Sequence, residues 1–195
     1  MSDILCVSNR KLAPDDFFIR LERIARAKPK GIILREKDLE EEEYRKLADR
    51  ALAICRKEGV ACLLHSYPGP ALDLGADGLH LPLPLLRRLS EADRTRLPLL
   101  GASCHSVEEA LEAEDLGCSY VTAGHIFETA CKAGLPGRGL DFLEGICRAV
   151  SLPVYAIGGL SPELLGPVQD RGAAGICLMS SLMTCPDPEA YLTGR

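Results

Sequence analysis

The sequence predicts an α/β protein, a compact single-domain (β/α)8 barrel of the TIM type over residues 1–195, closed by a short final helix. Three observations predict it. Short apolar runs alternate eight times with segments of helical periodicity. Strands joined through helices pair in parallel by right-handed crossovers, and eight such units most simply close on themselves. An open doubly wound sheet would instead place a Gly-x-Gly-x-x-Gly loop after the first strand, where this chain reads Ser8-Asn9-Arg10-Lys11. No internal repeat or linker divides the chain.

The first unit pairs the strand Ile4-Leu5-Cys6-Val7-Ser8 with a helix over Asp15 to Ala27, whose apolar residues recur at helical spacing. Gly31 to Arg35 is the second strand and Glu40 to Lys57 its helix. Ala61 to His65 is the third, followed by a short Pro- and Gly-marked helix near Pro70 to Leu74. The fourth strand, Gly78 to Leu81, leads into a helical turn or two from Leu85 to Ala92. Leu99 to Ser103 is the fifth, and Ser106 with Glu109 three residues on forms a capping box that opens the next helix. Tyr120 to Ala123 is the sixth strand. It runs into the long loop Gly124 to Gly139 before a helix from Leu140 to Val150. The seventh strand is Pro153 to Ile157, after which Ser161-Pro162 supplies an N-cap and a first-position proline. Gly175 to Met179 is the eighth strand, and Pro188 to Leu192 the final helix.

Composition narrows the function classes. The nine cysteines are dispersed, with no Cys-x-x-Cys pair, which argues against a zinc site and against a secreted disulfide framework. Most sit in apolar runs as small core residues. Cys104 and Cys131 differ, each neighbouring a candidate site residue. The net charge of −5 and the lack of a basic, aromatic-studded stripe argue against nucleic acid. No apolar run reaches the ~18 residues of a membrane span. The first residues show no secretory pattern, so a cytoplasmic location is expected and no membrane partner. Homo-oligomerisation stays open.

In such a barrel the active site lies at the C-terminal ends of the strands. The candidate residues fall there repeatedly. Arg35 and Lys37 follow the second strand, His65 ends the third, His80 lies in the fourth, His105 follows the fifth and His125 the sixth. The sixth loop also carries Lys132 and Arg138. The seventh and eighth strands end in Gly158-Gly159 and Ser180-Ser181. Paired glycines let backbone N–H groups approach a ligand, and helix starts near Ser161 and Ser181 add positive dipole ends, so this side is the expected phosphate site. The four histidines have no compact ligand spacing with carboxylates, so no metal and no cofactor is expected.

Together these landmarks resemble a known group. Leu34-Arg35-Glu36-Lys37, Gly75-Ala76-Asp77-Gly78-Leu79-His80-Leu81, Ser103-Cys104-His105-Ser106, the loop Gly124–Gly139 and Ala156-Ile157-Gly158-Gly159 are similar, in order, to the thiamine phosphate synthase/thiazole tautomerase (TenI-type) superfamily. The resemblance covers nearly the whole chain. It implies the barrel fold and a small phosphorylated thiazole as substrate. The synthase branch joins a pyrimidine diphosphate to a thiazole phosphate with magnesium, and its pattern has Asn-Asp-Arg after the third strand and Asp after the His-Leu of the fourth. Here those places read His65-Ser66-Tyr67 and Pro82-Leu83-Pro84, which cannot hold Mg²⁺ beside a diphosphate. The synthase loop reads Phe-Pro-Thr-x-Thr-Lys against Phe127-Glu128-Thr129-Ala130-Cys131-Lys132 here.

The expectation is therefore the other branch, a metal-independent isomerase that aromatises a carboxylated thiazole phosphate. The resemblance makes His125 its acid/base, assisted by His105, and an imidazole suits both proton transfers. Arg35, Lys37, Lys132 and Arg138 would meet the carboxylate or phosphate, with His65 in the substrate site where the tautomerase pattern has Asn. The alternatives are a divergent thiamine phosphate synthase, a transferase, and a non-catalytic regulatory barrel.

Overall fold

The computed structural model describes residues 3–129 and 134–193. Eight parallel strands close into a barrel in sequence order, with β8 returning to β1 through Ile4↔Ile176, Leu5↔Cys177 and Cys6↔Leu178. The strands are β1 Ile4–Val7, β2 Gly31–Leu34, β3 Cys62–His65, β4 Gly78–Pro82, β5 Leu100–Cys104, β6 Tyr120–Gly124, β7 Val154–Ile157 and β8 Gly175–Leu178. The helices are α1 Phe17–Arg26, α2 Glu41–Glu58, α3 Pro68–Asp73, α4 Leu83–Leu86, α5 Glu91–Arg96, α6 Val107–Asp115, α7 Gly139–Ala149, α8 Leu165–Gln169, α9 Ser180–Thr184 and α10 Pro188–Thr193.

The strands are buried on both faces, which is why each reads as a nearly unbroken apolar run. Alternate residues separate two cores. Ile4, Cys6, Ile32, Leu34, Leu64, Leu79 and Val121 pack outward against the helices. Leu5, Val7, Ile33, Leu63, Tyr120, Tyr155 and Cys177 fill the barrel interior. A strand's period of two then carries the inward face to its C-terminal end. Ile33 leads to Arg35, Leu63 to His65, and Tyr120 through Thr122 to Gly124. The same count takes Tyr155 through Ile157 to Gly159.

Local signals set the helices. Asp16 caps α1, its carboxylate accepting from Phe18 N (2.9 Å) and Ile19 N (3.2 Å). α2 ends at Gly59, whose φ of 64° lies in the left-handed region. The stretch expected to hold a helical turn or two from Leu85 to Ala92 joins two short helices. α4 ends at Leu86, and Ser90 caps α5 afresh, its hydroxyl accepting from Asp93 N at 3.1 Å. Beyond Ser161 the chain forms a 3-10 turn, Pro162–Leu164, with no side-chain cap, before α8. Arg20 is 1 % exposed and donates to Cys185 O at 2.6 Å, which ties α1 to the segment leading into α10. Among the described residues no helix is long and apolar enough to cross a membrane.

Candidate functional site

The C-terminal ends of the strands surround a cavity of about 330 Å³. Arg35, Lys37, His65, His105, His125, Gly158, Gly159, Ser180 and Ser181 all line it, so nine of the expected site residues are brought together. Lys132 lies outside the described residues, as does Cys131. Arg138 is not among the residues that line the cavity. Its guanidinium donates to His105 O and lies 4.0 Å over the Phe142 ring, so it braces the loop after β5 against α7.

The cationic side is built from β1 and β2. Ser8, fully buried, accepts from Arg35 N at 2.9 Å and donates to Glu36 at 2.7 Å. The Glu36 carboxylate in turn accepts from Arg10 N and the Arg10 guanidinium. This buried network fixes the backbone from which Arg35 and Lys37 project. Tyr44, on α2, donates to Leu34 O (2.5 Å) and accepts from His65 N (2.8 Å), joining the ends of β2 and β3.

The histidines divide by environment. His65 and His80 are 5 % and 3 % exposed and stack with ring centroids 5.7 Å apart. Burial pushes the His65 pKa down to about 2, with His80, Arg35 and Lys37 adding to the shift, and burial alone pushes His80 down to about 3. Both are neutral at neutral pH. His105 and His125 stand at the rim. His105 is held by Glu109, whose carboxylate accepts from the His105 N–H at 2.6 Å and contacts Nδ1 at 3.2 Å. The capping box is thus displaced by one residue. Ser106 accepts from Glu109 N at 3.1 Å, but the glutamate reaches back to His105 instead of the cap itself. His125 Nε2 contacts Leu135 O at 3.4 Å.

The paired glycines have a packing reason besides any ligand. Both hold positive φ, 102° and 67°. A Cβ on Gly158 would fall 2.4 Å from His125 Cβ, and one on Gly159 2.5 Å from Glu128 O. Phe127 N donates to Gly158 O at 3.0 Å, so the loops after β6 and β7 run against each other. The expected helix dipoles are only those of a three-residue 3-10 turn and the five-residue α9. Anion binding there would rest on backbone N–H groups and the two serines.

Two polar wall residues, Ser103 and Thr122, were not foreseen as part of the site, and His80, a candidate from its place in the fourth strand, lines it as well. The available signal was a polar residue at an inward position of an otherwise apolar strand. His80 Nε2 is 2.8 Å from Ser103 Oγ, and its Nδ1 is 2.9 Å from Tyr120 Oη. Cys104 is 1 % exposed and burial raises its pKa to about 12, so it is a thiol and no nucleophile.

The donor set does not suit a divalent metal. Among the described residues no three His, Cys, Asp or Glu side chains group as a candidate metal site. The segments after β3 and β4, where the resemblance would put carboxylates, offer His65, Ser66 and Pro82, and Ser66 is bound to His65 Nδ1 at 2.6 Å. Neutral imidazole and hydroxyl groups are poor ligands for Mg²⁺, which takes oxygen ligands and carboxylates in particular.

The family model described as thiamine monophosphate synthase matches residues 4–182. The thiamine-phosphate synthase of Chlorobium luteolum is 35% identical, over 96% of this chain and 89% of that protein. That of Thermus thermophilus is 36% identical over 87% of this chain and 84% of its own. A solved structure, thiamine phosphate pyrophosphorylase from Pyrococcus furiosus, superposes with a TM-score of 0.81 at 26% identity, covering 97% of this chain and 91% of that one.

Proposed function

Because the chain belongs to the thiamine monophosphate synthase family, we propose that it is a thiamine-phosphate synthase, a transferase that joins a phosphorylated thiazole to a pyrimidine diphosphate. The isomerase expected from the lost carboxylates is corrected by the relatives. Proteins at about a third identity over most of this chain are named thiamine-phosphate synthase. Two missing carboxylates and one altered loop say how a ligand is held. They do not outweigh similarity spread along the whole barrel.

The observation that carries the reading is a single cavity with two kinds of anion-binding wall. Arg35 and Lys37 offer charge on the β2 side. Gly158, Gly159, Ser180 and Ser181 offer N–H and O–H donors on the β7–β8 side. A reaction between two phosphorylated substrates needs two such places. In this transfer the C–O bond between the pyrimidine methylene and the diphosphate breaks, the thiazole nitrogen supplies the electron pair for the new C–N bond, and diphosphate leaves. The residues of this chain would bind and orient both partners, and the cations would stabilise charge on the departing diphosphate. His105 and His125 stand where a ligand would meet them.

The test is direct. Incubation with both substrates, followed by chromatography, is expected to give thiamine phosphate, with diphosphate released in equal amount. No product, with or without Mg²⁺, would overturn the assignment.

A further inference from the structure

Tyr120, His80 and Ser103 form a hydrogen-bonded chain from the barrel interior to the cavity wall. Tyr120 Oη is 2.9 Å from His80 Nδ1, and His80 Nε2 is 2.8 Å from Ser103 Oγ. All three belong to neighbouring strands, with His80 paired to Gly101 and Gly101 to Tyr120. Gly101 makes room for the arrangement, since a Cβ there would fall 2.2 Å from Tyr120 Cζ and 2.6 Å from its Oη. Tyr155 packs edge-on against Tyr120, and His65 stacks on His80. Packing thus holds the phenol and the imidazole in place, while Ser103 reaches the cavity wall.

The order of donors along this chain is decided by satisfaction. A neutral imidazole carries one ring proton and accepts on its other nitrogen. If Nδ1 carried it, Nδ1 would donate to the phenol oxygen. The Tyr120 hydroxyl, 7 % exposed as a residue, would then have its own hydrogen without an acceptor, because His80 is its hydrogen-bond partner among the described residues. A buried hydroxyl hydrogen left unpaired is costly. If Nε2 carries the proton, Tyr120 donates to Nδ1 and Nε2 donates to Ser103 Oγ. Every buried donor is then used, and the serine's one hydrogen is left over.

We propose that Tyr120 and His80 are positioning residues that turn Ser103 into a fixed hydrogen-bond donor, aimed at an oxygen of an anionic ligand in the cavity. Tyr120 sets the imidazole tautomer. The imidazole N–H then occupies an acceptor lone pair of Ser103 Oγ, so the serine cannot point its proton back into the barrel and must offer it to the cavity. A neutral chain of this kind moves no charge. It acts by preorganisation, because the serine does not reorient when the ligand arrives. The inference rests on this cavity being the ligand site, as in the proposed function, but not on the reaction performed there.

The tautomer is read by NMR of ring nitrogen-15 shifts in the whole protein, without ligand. The expected spectrum has His80 Nδ1 unprotonated and Nε2 protonated at neutral pH. The reverse assignment overturns the proposal, with no variant needed. Inorganic pyrophosphate serves as the binding probe, by calorimetry. Ser103→Ala is expected to weaken it ~10-fold or more, as for a lost hydrogen bond to a charged group. Tyr120→Phe, which leaves the serine in place, is expected to weaken it several-fold and to shift the His80 tautomer. His80→Gln keeps an N–H near the Nε2 position and is expected to restore most of the affinity that His80→Met loses. Equal loss in the Gln and Met variants, or unchanged affinity in folded Tyr120→Phe, shows a merely structural chain and overturns the proposal. Wild-type protein that binds no pyrophosphate overturns the donor role, and leaves synthase activity to be judged by its own assay.

Discussion

At the scale of single residues, the buried histidine pair sets a pH dependence with a definite sign. His65 and His80 are held neutral, with pKa values depressed to about 2 and about 3. In the unfolded chain a histidine titrates near 6.5. Above that pH neither state takes up a proton and the stability is fully present. As pH falls below it, the unfolded chain binds protons that the native state refuses, so stability is lost down toward the folded pKa values. Each histidine is expected to contribute a slope of about 1.4 kcal/mol per pH unit below about pH 6. Urea melts between pH 7 and 5 check this, and His80→Gln should flatten the slope. A flat profile in the wild type would show that the native rings take up protons as readily as the unfolded chain does.

The elements around the site are held by side chains that reach between them. Tyr44 is the clearest, since one hydroxyl serves both β2 and β3 from α2. Tyr44→Phe leaves the Leu34 carbonyl and the His65 N–H without that partner in a buried setting. The expected loss is about 1–3 kcal/mol of unfolding free energy. Ligand affinity should fall as well, because Arg35 and His65 stand on the strand ends that the tyrosine joins. Gly158→Ala tests a different junction. Its methyl group would overlap His125, so the loop after β6 must shift. Turnover is expected to drop at least tenfold, while the melting temperature changes by a few degrees, since the clash lies at the rim and not in either core. Wild-type turnover in that variant would mean that the His125 loop takes no part in the chemistry.

At the scale of the whole molecule, the barrel brings one side chain or loop from nearly every strand to a single cavity, and the donors among the described residues are unsuited to a divalent metal. The expectation is that EDTA changes pyrophosphate affinity by less than twofold, whereas Arg35→Ala weakens it roughly 10-fold or more, the range for hydrogen bonds to charged groups. Calorimetry with and without Mg²⁺ measures both. Binding that collapses on chelation would show that the chain recruits a cation through groups other than those after β3 and β4.

The sequence by itself determined the architecture and the end of it that matters. Eight apolar runs with helical spacers admit little besides a closed parallel barrel, and the period of two places Arg35, His65 and Gly159 on the inner face before any coordinate is known. The cap at Ser106 was equally legible, because a cap is decided within four residues. Tertiary structure decided what depends on neighbours distant in sequence. The charge of Arg138 is plain in the sequence, but its place beside His105 O and over the Phe142 ring follows only from the closed barrel. Gly158 and Gly159 look like a phosphate cradle, yet their missing Cβ atoms are also required by the loop after β6. The choice between branches of the superfamily could not be made from a few altered positions, because those report on one wall of the cavity while the relatives report on the whole chain. Ser103 escaped notice for the same physical reason. A serine in a strand is unremarkable until His80, 23 residues away, is found 2.8 Å from its hydroxyl, and that proximity exists only once the barrel has closed.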